Sequence, residues 1–124
     1  MTELFAPESY WKATDAARAE ACNGCGTKGL AGLIIPDNLV GLNIRPLCDI
    51  HDWMYTFVAT IEDKEIADRS FLNNMVRLID DAGGPEPLMA LRRQDCMVYY
   101  SAVRDFGGPA FWKGKNNPED LGHA

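Results

Sequence analysis

An all-α fold with one large irregular loop is the architecture that this 124-residue chain predicts. Two observations lead there. Apolar residues recur at helical spacing through the middle and later parts of the chain, and glycine and proline crowd into one stretch before them. Apolar residues at 47% and charged residues at 24% are globular proportions, and the length suits one domain, taken as residues 1–124 with a frayed tail over about 115–124. Such a chain buries enough surface to fold without a disulfide.

Taken in order, Ser9 is placed to cap a packing helix from about Tyr10 to Ala21. From Cys22 to Pro46 glycines fall at 24, 26, 29, 32 and 41 and prolines at 36 and 46. That density lets backbone amides and carbonyls turn toward a common centre, and a loop of this length in a small domain is usually functional. Leu33, Ile34 and Ile35 within it suit a short strand, a core plug or an exposed apolar rim. Pro46 fits the first turn of a helix reaching about Thr60. The next helix runs over about 64–82, with Asp63 as its cap and Ala67 or Asp68, Phe71, Met75 and Leu78 or Ile79 on one face. After Gly83, Gly84 and Pro85, a last long helix covers about Pro87 to Phe106, and Phe111 and Trp112 remain for docking.

The chemistry concentrates in Cys48-Asp49-Ile50-His51-Asp52-Trp53-Met54-Tyr55. On a helix His51 and Tyr55 stand one turn apart, as do Cys48 and Asp52, so a base, a carboxylate, a phenol and a sulfur share neighbouring stripes of one face. Acids among apolar side chains are seldom left unpaired, and Asp68 and Asp95 both stand on inner helix faces, so one of them is expected to meet His51. A neutral histidine held by a carboxylate on one ring nitrogen takes a proton on the other, and with no Gly-x-Ser-x-Gly elbow in the chain, water is the economical nucleophile. Asp52 suits a hard cation, with loop carbonyls as further oxygen ligands.

The formal charge of −6 argues against nucleic acid as a partner and against simple adsorption to anionic lipid. No apolar run is long enough to span a membrane, and Met1 to Tyr10 lacks the regions of a secretory signal. The expectation is a cytoplasmic protein unless another route exports it. Cys22, Cys25, Cys48 and Cys96 allow three full disulfide pairings, free thiols or a four-sulfur zinc site, although their spacing fits no compact zinc pattern.

The ordered set Asn23-Gly24-Cys25-Gly26-x-x-Gly29, Pro36-Asp37, Cys48-x-x-His51-Asp52-x-x-Tyr55 and Ala67-Asp68-Arg69-Ser70-Phe71 resembles the secreted phospholipase A2 family, in its prokaryotic form, over about residues 22 to 78. The resemblance implies an antiparallel pair of catalytic helices, a glycine-rich calcium-binding loop and additional packing helices. It implies a calcium-dependent hydrolase of the sn-2 ester of glycerophospholipids. His51 would be the general base, Asp68 its orienting partner and Tyr55 a further hydrogen-bond donor to that aspartate. Asp52 and carbonyls near Gly24, Gly26 and Lys28 would hold Ca2+. Cys25 and Cys48 fall where the family joins loop to helix by a disulfide, leaving Cys22 and Cys96 as a second pair. The implied partner is a phospholipid or membrane interface met by a monomer, with Leu33, Ile34, Ile35, Leu39 and Val40 against acyl chains. A non-catalytic lipid- or protein-binding relative of the same fold is the alternative.

Overall fold

Pro46 lies in the first turn of helix α3 (Arg45–Phe57), where a missing N–H costs nothing, and the helix buries Leu47, Cys48, Ile50, His51, Met54 and Tyr55. The three residues after it allow the chain to turn straight into α4 (Ile61–Ala82). Thr60 caps α4 by accepting the amide of Asp63 at 3.0 Å, and Glu62 and Asp63 place negative charge at the positive end of the helix. Thr60 thus takes the capping role expected of Asp63, and the helix starts three residues earlier than the sequence suggests.

The computed structural model describes residues 2–22, 35–112 and 115. The chain begins with α1 (Glu8–Lys12) and α2 (Asp15–Ala21) and continues into α3 through an antiparallel hairpin of β1 (Asn38–Leu39) and β2 (Leu42–Asn43). After α4 come α5 (Glu86–Phe106) and α6 (Gly108–Trp112). The described residues are therefore mostly helical with one small two-stranded sheet.

Two expectations about the early chain are corrected. The single helix from Tyr10 to Ala21 is broken at Ala13 and Thr14, both extended, because the Thr14 hydroxyl accepts the amide of Ala17 and starts a new helix. Ser9 lies inside α1 and its hydroxyl accepts the Trp53 indole N–H at 3.2 Å, so it joins α1 to α3 rather than capping. The hairpin was not expected either. Its turn has positive φ at Val40 (45°) and Gly41 (88°), the signs of a type I′ turn, and the Asn38 side chain accepts the Gly41 amide at 2.8 Å. Val40 is a costly residue there, being β-branched. Arg92 donates to the Val40 carbonyl at 3.0 Å and Tyr99 to the Asn38 carbonyl at 2.9 Å, so α5 holds the turn in place.

The main core joins the hairpin, α3, α4 and α5 through Leu39, Ile44, Leu47, Phe71, Met75 and Val103. Ile35 and Leu39 belong to this core and are buried, which contradicts their assignment to an acyl-chain surface. Leu33 and Ile34 lie outside the described residues. A second cluster of Ile50, Met54, Tyr55, Ala67 and Phe111 docks α6 against α3 and α4, as expected for Phe111. Asn74, buried on α4, accepts the Phe5 amide at 2.8 Å and donates to its carbonyl at 2.9 Å, which pins the N-terminal segment.

Candidate active site

Contacts between α3 and α4 progress in opposite senses: Tyr55 lies by Lys64, and His51 lies by Asp68 and Phe71. The two helices therefore run antiparallel, and one turn of each meets the other at a buried polar centre. His51 Nε2 and Asp68 Oδ1 are 2.7 Å apart, and the Tyr55 hydroxyl donates to the same oxygen at 2.5 Å. Of the two acids open to this role, Asp68 takes it; Asp95 is half-buried on α5, near Tyr99.

The charge state of the centre follows from its partners. Burial pushes the Asp68 carboxyl up, but hydrogen bonds and charge from His51, then Lys64 and Tyr55, outweigh it and hold the group below its ordinary range. Asp68 is thus an ionised acceptor, and the His51 nitrogen facing it must carry the proton. In the neutral ring that proton is on Nε2, which leaves Nδ1 as the basic atom. Burial, followed by the Asp68 charge, pushes the Tyr55 phenol far above its usual value, so it remains a donor at every physiological pH. The His51 ring lies against Tyr55 (4.1 Å between centroids) and Phe71 (5.1 Å), and only 5% of the residue is exposed.

Lys64 was not anticipated. Its Nζ donates to Asp68 Oδ2 at 2.8 Å and to the carbonyls of Val103 and Arg104 at 3.2 Å each. The available signal was its position four residues before Asp68 on the same helix. Gly107, too, is a contact surface for the site. A Cβ on it would stand 2.8 Å from the Tyr55 hydroxyl and 2.4 Å from the Val103 carbonyl. Gly107→Ala should therefore displace Tyr55 or α6 and cost about 1–3 kcal/mol, the range for overpacking a dense interior. Thermal unfolding checks this, and a melting temperature equal to that of the parent would contradict it.

Asp52, one residue after the base, is half-buried. Its charge reaches both Tyr55 and Cys22. Cys22 ends α2 and its thiol donates to the Asp49 carbonyl at 3.1 Å. Burial, then the Asp49 and Asp52 charges, pushes that thiol up to about 11, so it remains a protonated donor. Cys22 thus lies beside Asp49, while Gly24, Cys25, Gly26 and Lys28 lie outside the described residues. Among the described residues no three His, Cys, Asp or Glu side chains are grouped to hold a metal, so Cys22, Cys48 and Cys96 do not assemble a zinc site.

Cys22 and Cys96 are free thiols, which overturns their pairing: Cys96 is buried in the main core, whereas Cys22 sits at the end of α2. Cys48 is not a free thiol.

No family model, curated protein or solved structure matches this chain. No helix among the described residues is long and apolar enough to cross a membrane.

Proposed function

We propose that the protein is a calcium-dependent esterase of the phospholipase A2 type that hydrolyses the sn-2 ester of glycerophospholipids. The observation that carries this reading is the shared Asp68 Oδ1, which receives both His51 Nε2–H and the Tyr55 hydroxyl, with Asp52 next to the base on α3.

Asp68 orients the imidazole and stabilises its protonated form. His51 Nδ1 takes a proton from a water molecule as its oxygen attacks the ester carbonyl, and the same Nδ1–H then protonates the leaving alkoxide. The products are a fatty acid and a lysophospholipid. Tyr55 keeps the carboxylate from turning away, and Phe71 and Tyr55 confine the ring.

Asp52 fits the cation this reading requires. It is a hard oxygen donor that the base's own helix sets beside the start of the glycine-rich segment, and carbonyls near Gly24, Gly26 and Lys28 would complete the set. Bound there, Ca2+ supplies Lewis-acid polarisation of the carbonyl and a counter-charge for the oxyanion. A Cys25–Cys48 disulfide would tie the segment to α3.

The lipid-facing surface is reassigned from Ile35 and Leu39 to an aromatic run. Trp11 (53% exposed) packs on Tyr10, Tyr10 on Trp53, and Trp53 on Phe57 (63% exposed), with ring centroids 4.5–5.7 Å apart. Aromatic side chains with an apolar body suit a membrane–water interface.

A phosphatidylcholine carrying different acyl chains at its two ester positions tests the reaction. Release of the sn-2 acid alone, dependent on Ca2+, is expected. Equal release from both positions, or release unaffected by chelator, would contradict the assignment.

A further inference from the structure

We propose that Lys64 is a positioning residue for His51 and Asp68, fixing the Asp68 carboxylate from the side opposite the histidine and tying it to the C-terminal end of α5. The inference rests on the esterase reading of that pair.

An ammonium group has three N–H donors, and each of Lys64's has an acceptor: Asp68 Oδ2, the Val103 carbonyl and the Arg104 carbonyl. Its side chain is 12% exposed. An ordinary pair of this spacing on a helix surface is solvated, mobile and of little consequence. Here the ammonium cannot swivel without abandoning a carboxylate or a helix end.

The consequence falls on Asp68. The last torsion of an aspartate is soft, so a carboxylate held by one oxygen can rotate about that bond. With His51 and Tyr55 on Oδ1 and Lys64 on Oδ2, its plane is set from both ends. That plane determines where the imidazole points, and a misplacement of about 1 Å can cost about a hundredfold in rate.

The α5 carbonyls supply the anchor. They belong to its last turn, the negative end of the helix, where a cation is favoured. The charged and polar groups facing Nζ come from every neighbouring element: the Tyr55 ring of α3 at 5.8 Å, Asp68 of α4, the two carbonyls of α5, and Asp105, which feels the Lys64 charge. Lys64 is thus the one described side chain that bonds both to the dyad carboxylate and to α5.

Lys64→Met keeps the stem and removes the donors; Lys64→Arg restores a charged donor. Two readouts are taken at one neutral pH: kcat and KM for sn-2 ester hydrolysis, and the 1H–15N correlation pattern of the His51 ring. Lys64→Met is expected to lower kcat by about tenfold to a hundredfold with KM little changed, and to replace the pure Nε2–H pattern by a mixture of tautomers. Lys64→Arg should recover most of both. A folded Lys64→Met protein with the parental ring pattern would overturn the proposal. Were the parent inactive on every phospholipid, the esterase reading would fall, while the ring pattern would still decide the role of Lys64. Should Lys64→Met not fold, the parent protein suffices. A resolved, slowly exchanging Lys64 ammonium resonance supports the three-acceptor cradle, and a resonance averaged like those of exposed lysines overturns it.

Discussion

Asp68→Asn is expected to lower turnover by about a thousandfold or more, the scale seen when an orienting carboxylate is made neutral and its histidine adopts the wrong tautomer. The asparagine amide can face His51 or Lys64 with its oxygen, but not both, so one of two buried donors meets an N–H. Lys64 also loses its counter-charge, which costs about 3 kcal/mol for a buried pair. Asp95→Asn, on a half-buried site away from the dyad, should change turnover by less than about threefold. Initial rates of fatty-acid release rank the two; the opposite order would place the supporting acid on α5. The same substitution changes the acid limb of stability. The folded-state pKa of Asp68 is lowered, so its contribution is present above about pH 4, the unfolded value, and disappears as pH falls through the folded value. Denaturant midpoints measured between neutral pH and pH 2 should fall less steeply for Asp68→Asn than for the parent.

Phe71→Ala should have the largest effect on stability, about 3–5 kcal/mol, because it empties a fully enclosed aromatic site shared by α3, α4 and α5. For a domain of this size that corresponds to a fall in melting temperature of roughly 10–20 °C. The same ring is one wall of the His51 pocket, so its loss should cut activity even below the melting transition. A melting temperature within a few degrees of the parent would mean that neighbouring side chains fill the space.

The three long helices and their inward faces were legible because their apolar residues follow a 3.6-residue period, and that period put His51 and Tyr55 on one face of α3 and Ala67 or Asp68 on the inner face of α4. What escaped was decided by competition or by approach in space. Thr60 took the capping position that local reading assigned to Asp63, and Thr14 opened a second helix inside the single one read from Tyr10 to Ala21, since several residues near each start were able to cap. The hairpin at 38–43 rests on a valine in a conformation it seldom adopts, held by Arg92 and Tyr99 from 50 residues or more downstream. Lys64 and Gly107 matter through contacts with α3 and α5 that no local pattern encodes. The family resemblance implied a Cys22–Cys96 pair, whereas the fold leaves both as free thiols.

One comparison decides the role of His51: fatty-acid release from mixed phospholipid vesicles by the parent protein and by His51→Gln, each with Ca2+ and with chelator. Release is predicted only for the parent with Ca2+. Absence of release by the folded parent with Ca2+, or equal release by His51→Gln, would contradict the assignment of His51 as the base of a calcium-dependent esterase.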